Sequence, residues 1–165
     1  MSTLDPQTLR RELLLEEALN RQLDALVRQA NLTVVLLKTN DRMEKNQLRN
    51  LLNVAVESRS VEVVINFVRY QIARNESAWG KGEKDFGHQV IADVRGEVKR
   101  LAKLALDYVQ KEEAAEAEAV PIPDALHATA YVRLVQLYLG YVNRAFYYAK
   151  TTGEFDKLKE VADAR

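Results

Sequence analysis

The sequence predicts an all-α fold, a single-domain helical bundle of five or six helices. Three observations carry that expectation. In 165 residues there are six glycines and three prolines, so long helices are the default. Apolar residues recur near a 3.6-residue period in segment after segment, and no β-like run finds a clear partner strand. Capping residues stand where most periodic segments begin. The length suits one domain with a real core. Within it we read a helical extension over 1–40, a basic helical core over 41–110, an acidic, proline-containing linker over 111–123 and C-terminal helices over 124–165.

Asp5-Pro6 is a helix start, with a carboxylate to cap free amides and a proline suited to the first turn. Leu9, Leu13, Leu19, Leu23, Leu26 and Val27 then predict an amphipathic helix to about Ala30. "NLTVVLLK" continues that helix or packs as a turn. A second helix starts near Asp41, whose carboxylate is an N-cap candidate with Glu44 completing a capping box. Leu48, Leu51, Leu52 and Ala55 form its apolar stripe. Ser60 caps a third helix, "VEVVINFVRYQIAR", facing inward through Val61, Val64, Ile65, Val68 and Ile72. "NESAWGKGEKDFGHQ" interrupts the pattern: Gly80 and Gly82 around Lys81 predict a mobile loop, Trp79–Gly87, carrying the only tryptophan. From Phe86 a long helix resumes and ends in the solvated run "QKEEAAEAEAVPIPD". A last long helix runs from Asp124 to about Thr151, Gly153 breaks it, and "EFDKLKEVADAR" is a short terminal helix.

Composition excludes more than it assigns. Lys+Arg and Asp+Glu are both 24, so any binding surface must come from how charges are segregated. With no cysteine there is no disulfide, thiolate zinc site or cysteine nucleophile. The opening "MSTLDPQTLRRELLLEE" has charges throughout its apolar positions and reads as neither signal peptide nor membrane span, which points to a cytoplasmic chain. His88 and His127 are the only histidines, and neither belongs to a metal-binding array. Asp85 and His88 make one isolated pair, which helix-start hydrogen bonding explains. "WGKGEKDFG" lacks the GK[ST] ending of a phosphate loop. The expectation is a protein that is not an enzyme and holds no cofactor or metal.

The stretch "YLGYVNRAFYYAK" holds four of the seven tyrosines. On a helical wheel Tyr131, Leu134, Val135, Tyr138, Tyr141, Val142, Ala145 and Ala149 fall together and predict a core face, with hydroxyls reaching polar partners. Arg133, Gln136, Gly140, Asn143, Arg144, Tyr147 and Lys150 fall opposite. Tyr147 among those cations is either an ordinary exposed ring or part of a contact patch for phosphates and a base. Position alone leaves the two readings even.

Basic rows are the stronger signal. Lys45 and Arg49, Arg69 and Arg74 with Lys81 and Lys84 following, and Arg95, Lys99 and Lys103 cluster in the middle of the chain. A solvated face accounts for any one row alone. Three rows in consecutive helices predict a shared stripe that holds a phosphate backbone without reading sequence.

At these residues the chain resembles a known family. "KNQLRNLL", "VRYQIAR" and "LVQLYLGYVNRAFYYAKTTGE" are similar to successive segments of the small helical subunit of type III-A (Csm-type) CRISPR effector complexes, from Lys45 to Glu154 in order. The resemblance implies a non-catalytic, RNA-associated subunit. Copies would stack along the guide RNA–target RNA duplex beside backbone and large subunits, in antiviral defence. It carries over Gln47, Arg49, Tyr70, Arg74, Arg144 and Tyr147. Together with the rows above, the expected RNA-binding set is Lys45, Gln47, Arg49, Arg69, Arg74, Lys81, Lys84, Arg95, Lys99, Lys103, Arg144, Tyr147 and Lys150. The rival reading is a helical protein–protein adaptor that docks through the Trp79 loop and binds no nucleic acid.

Overall fold

A computed structural model describes residues 5–116 and 120–160, and every described element is helical. In order these are α1 (Pro6–Asn20), α2 (Leu23–Val35), α3 (Lys45–Ser58), α4 (Val61–Arg74), the one-turn α5 (Glu76–Trp79), α6 (Phe86–Asp93), a π-turn (Val94–Val98), α7 (Lys99–Ala114), α8 (Asp124–Thr152) and a 3₁₀ turn (Phe155–Lys159). The count exceeds the five or six expected. The first predicted helix breaks at Arg21 and Gln22, and Glu76–Trp79 adds a turn that periodicity cannot register.

The 29-residue α8 is the axis, with α2, α3 and α7 packed along it and α1 against α7. Its inward face is the one the wheel predicts: Leu134, Val135, Tyr138, Val142 and Ala149 are buried, with Leu139 and Phe146 beside them. Asp5 accepts from the Thr8 amide and Ser60 from the Val63 amide, as expected of caps. The cap of α3 is Glu44 rather than Asp41. Gln47 Oε1 returns the bond by accepting from the Glu44 amide at 2.7 Å, so Gln47 closes a capping box. Asp41 lies before that box, in a bend that Asn40 organises by accepting from the amides of Arg42 and Met43.

The tryptophan is packed into the core, while Lys81, Glu83, Lys84 and Asp85 of the expected loop are exposed. Trp79 is fully buried, its ring centroid 5.7 Å from that of Phe86. Asn40 Nδ2 donates to the Ala78 carbonyl at 2.9 Å and ties the segment to the end of α2. Asp85 Oδ2 accepts from the Gly82 amide at 2.8 Å and His88 Nδ1 contacts the Gly82 carbonyl at 3.1 Å. Both candidate ligands therefore grip one loop residue, Gly82. The acidic tail is also less solvated than its composition predicts. Glu113 takes both oxygens to Arg11 of α1 at 2.7 Å, and Glu116 pairs with Arg10 at 2.7 Å. Residues 117–119 of that run, and 161–165 of the expected terminal helix, lie outside the described residues. Phe155 is buried at 6.5 Å from Phe146 and seals the end of α8. Among the described residues no helix is long and apolar enough to cross a membrane.

At the centre, Asp93 is 3% exposed and accepts from four side chains: Gln29 and Gln89 amides at 2.7 and 2.8 Å, Thr33 hydroxyl and Tyr138 hydroxyl. A carboxylate has lone pairs for all four. Burial first, then the Asp93 charge, push the Tyr138 phenol well above its ordinary range, so it remains a donor. The π-turn follows directly. Its Val94 carbonyl is taken by the Tyr131 hydroxyl at 2.7 Å, which locks α8 to the irregular turn.

Candidate nucleic-acid interface

Helices α3 and α8 run antiparallel in a register set by four contacts. Lys45 Nζ lies 3.9 Å over the Tyr147 ring and donates to Thr151 Oγ1 at 2.7 Å. Lys150 Nζ donates to the Met43 carbonyl at 3.0 Å, and Gln136 Nε2 to the Ala55 carbonyl at 3.1 Å. In this register Arg49, one turn on from Lys45, comes level with Arg144, one turn back from Tyr147. Further along, Arg59 and Arg133 line one cleft with Gln136. The seam thus carries Lys45, Arg49, Arg59, Arg133 and Arg144 along a single face.

Carboxylates are sparse along it, although Arg133 also borders a cleft that Glu12 and Glu16 of α1 line. Helix α8 contains one carboxylate, Asp124 at its start, and α3 contains one, Glu57. None of the five seam cations forms an ion pair among the described residues. Tyr147 is 53% exposed, with one face of its ring occupied by Lys45. No atom lies within 4 Å of where a Gly140 side chain would begin, so helix packing does not demand that glycine. It leaves the seam open instead.

The row Arg95, Lys99 and Lys103 lines a second cleft, between the π-turn, α7 and the start of α8. Ala128 is a wall of both clefts, so the seam and this row meet around the N-terminal half of α8. From Thr151 to Ala128 the path follows α8 for about 35 Å at 1.5 Å per residue. Arg95 is partly neutralised by Glu62 at 3.3 Å. Lys99 and Lys103 are exposed and have no ion pair among the described residues.

The middle row does not join them. Arg69 follows Glu62 by seven residues and shares its side of α4, whereas Arg74 lies one turn beyond Tyr70, 5.8 Å from that ring. Lys81 pairs with Glu76 at 3.8 Å, and Lys84 lies beside Trp79 and Asp85 at the opposite end of the molecule from Arg59. Of the expected residues, Lys45 touches Tyr147, Arg144 lines a pocket with Tyr147, and Arg49 follows Lys45 by one turn of α3. Lys150 turns inward from the same seam to the Met43 carbonyl, and Gln47 is spent on the α3 cap. Arg59 and Arg133 went unselected in the sequence. Arg133 had a signal, since it shares the helical-wheel face of Arg144 and Tyr147. Arg59 had none, because it belongs to the turn after α3, in a left-handed conformation at φ 50°.

Among the described residues no cluster of three or more histidine, aspartate or glutamate side chains is placed to hold a metal. No protein-family model matches the chain, and no curated protein or solved structure shows significant similarity to it.

Proposed function

We propose that this chain is a nucleic-acid-associated helical subunit that holds a phosphate backbone along the α3/α8 seam. The observation that supports it is the row of five cations that form no ion pair among the described residues, in a chain whose total charge is zero. Such a row gains affinity by releasing condensed counterions and reads no bases. In its specific form the proposal is a non-catalytic small subunit of a type III CRISPR ribonucleoprotein, placed in the cytoplasm on the guide RNA–target RNA duplex. That form rests on the resemblance of the three segments from Lys45 to Glu154, two of which form the seam. Neighbouring copies and backbone subunits would supply the rest of the affinity.

The adaptor reading loses the Trp79 ring as a contact group, since that ring is buried rather than displayed. The test is a salt titration of binding to a short RNA duplex, for the free chain and for the assembled complex. Arg49→Glu/Arg144→Glu should reduce the slope of log affinity against log salt by about 1.5–2, as expected for two lost phosphate contacts. Helicity should be unchanged. An unaltered slope would count against the seam.

A further inference from the structure

The cleft at the π-turn differs from the seam in having an apolar floor. Its volume is ≈ 550 Å³, within the ordinary range for small-molecule sites. Ala102, Leu106 and the Tyr131 ring form its walls, and Lys99 and Lys103 stand at its edge one turn apart. Arg95 and Arg100 also border it, but each is engaged by a carboxylate, Glu62 and Glu97 respectively. The Tyr131 ring is held in place by its hydroxyl bond to Val94, and burial keeps that phenol above its ordinary range. Gly96, inside the π-turn, has nothing within 4 Å of where a side chain would begin. A flat ring can therefore approach the backbone at Gly96.

We propose that this cleft binds a nucleoside phosphate, with the base on the apolar floor beside Tyr131 and the phosphate between Lys99 and Lys103. Two ammonium groups with no ion pair among the described residues exceed what one carboxylate needs, and they suit the double charge of a phosphate monoester. The cleft is open to solvent, so it does not enclose an acyl chain as a fatty-acid site does. Exposed His127 stands at the same rim and offers a donor or acceptor to a base edge. An unpaired nucleotide within RNA presents the same base, with singly charged phosphodiesters on either side in place of the monoester. The proposal does not depend on the seam, because the floor, the lysine pair and the π-turn are all outside it.

Amide chemical shifts of the full ¹⁵N-labelled chain, titrated with AMP and separately with a four-nucleotide single-stranded RNA, test it. Saturable shifts at Gly96, Lys99 and Ala128 with AMP assign a free nucleotide. The same shifts with the oligonucleotide alone assign an unpaired nucleotide of RNA. Adenosine, lacking the phosphate, should bind at least tenfold more weakly than the occupant. Gly96→Leu, which places a side chain over the floor where nothing obstructs it, should weaken binding at least tenfold while preserving the melting transition. Lys99→Glu/Lys103→Glu should do the same. Arg49→Glu/Arg144→Glu should leave these shifts intact, which separates the cleft from the seam. Absence of saturable shifts with either probe, equal binding of adenosine, or displacement by palmitate in place of the nucleotide overturns the assignment.

Discussion

The ammonium of Lys45 rests 3.9 Å above the ring centroid of Tyr147 while donating to Thr151, so one lysine of α3 is fixed on the outer face of α8. The ring is a platform for the cation, and only its other face is free. A partly exposed cation–π contact is worth about 0.5–1 kcal/mol, or roughly two- to fivefold in affinity if it positions the charge. Tyr147→Ala should weaken duplex RNA binding by that factor, and Tyr147→Phe should not. Filter binding at low salt measures both. Equal loss in the phenylalanine variant would assign the effect to the hydroxyl instead.

That pairing marks how far the sequence could be read. Helical periodicity placed Tyr147 outside and Tyr138 inside, because a 29-residue helix makes the wheel a good map of burial. The partner of Tyr147 lay 102 positions earlier, and nothing local links Lys45 to it. Arg69 and Arg74 illustrate the opposite failure. Five positions apart in sequence, they sit on different sides of α4, and the row dissolves once the wheel is applied to it. Two glycines beside Trp79 predict an exposed, mobile loop, whereas the ring is buried. Gly80, at φ 71°, instead lets the chain turn tightly against Asp85, which anchors the loop. The Asp93 cluster was invisible, since its donors come from α2, α6 and α8.

Asp93 is the polar hub of the core, and each of its donors is left without an acceptor if it is removed. Asp93→Asn puts an amide NH₂ among four donors and should cost about 2–3 kcal/mol. Tyr138→Phe removes one donor and should cost about 1–1.5 kcal/mol. Urea denaturation with an unchanged m-value measures both. An asparagine variant as stable as the parent would show that the cluster contributes nothing to the fold.

Glycines of this chain should respond in opposite directions. A methyl on Gly87 would meet Ile72 Cγ1 at 2.6 Å and the Trp79 carbonyl at 3.1 Å, where α6 crosses α4 and the tryptophan segment. Gly87→Ala should destabilise by about 1–3 kcal/mol through overpacking. Gly140→Ala meets open space inside a helix and should stabilise by about 0.5–1 kcal/mol. Thermal melts of the two variants give the signs directly. If both shift the same way, the close approach at Gly87 is not what the sequence is preserving there.

The Arg11–Glu113 pair joins α1 to α7, and its two hydrogen bonds at 2.7 Å make it the best-formed ion pair among the described residues. The hydrogen bonds from Arg11 hold the Glu113 carboxyl below its ordinary range, against the opposing effect of burial. A carboxyl lowered in the folded state binds fewer protons there than in the unfolded chain. Its contribution is therefore complete above the ordinary carboxylate range and disappears as pH falls through the lowered folded value. Arg11→Met keeps the stem's packing and removes the donors. It should cost about 1.5–3 kcal/mol at neutral pH, the worth of hydrogen bonds to a charged group. In acid, where Glu113 is protonated in both states, parent and variant should converge. Denaturation midpoints collected across the acid limb decide it: a gap that stays constant with pH would mean that Arg11 acts through a partner other than the Glu113 charge, such as the Val120 carbonyl.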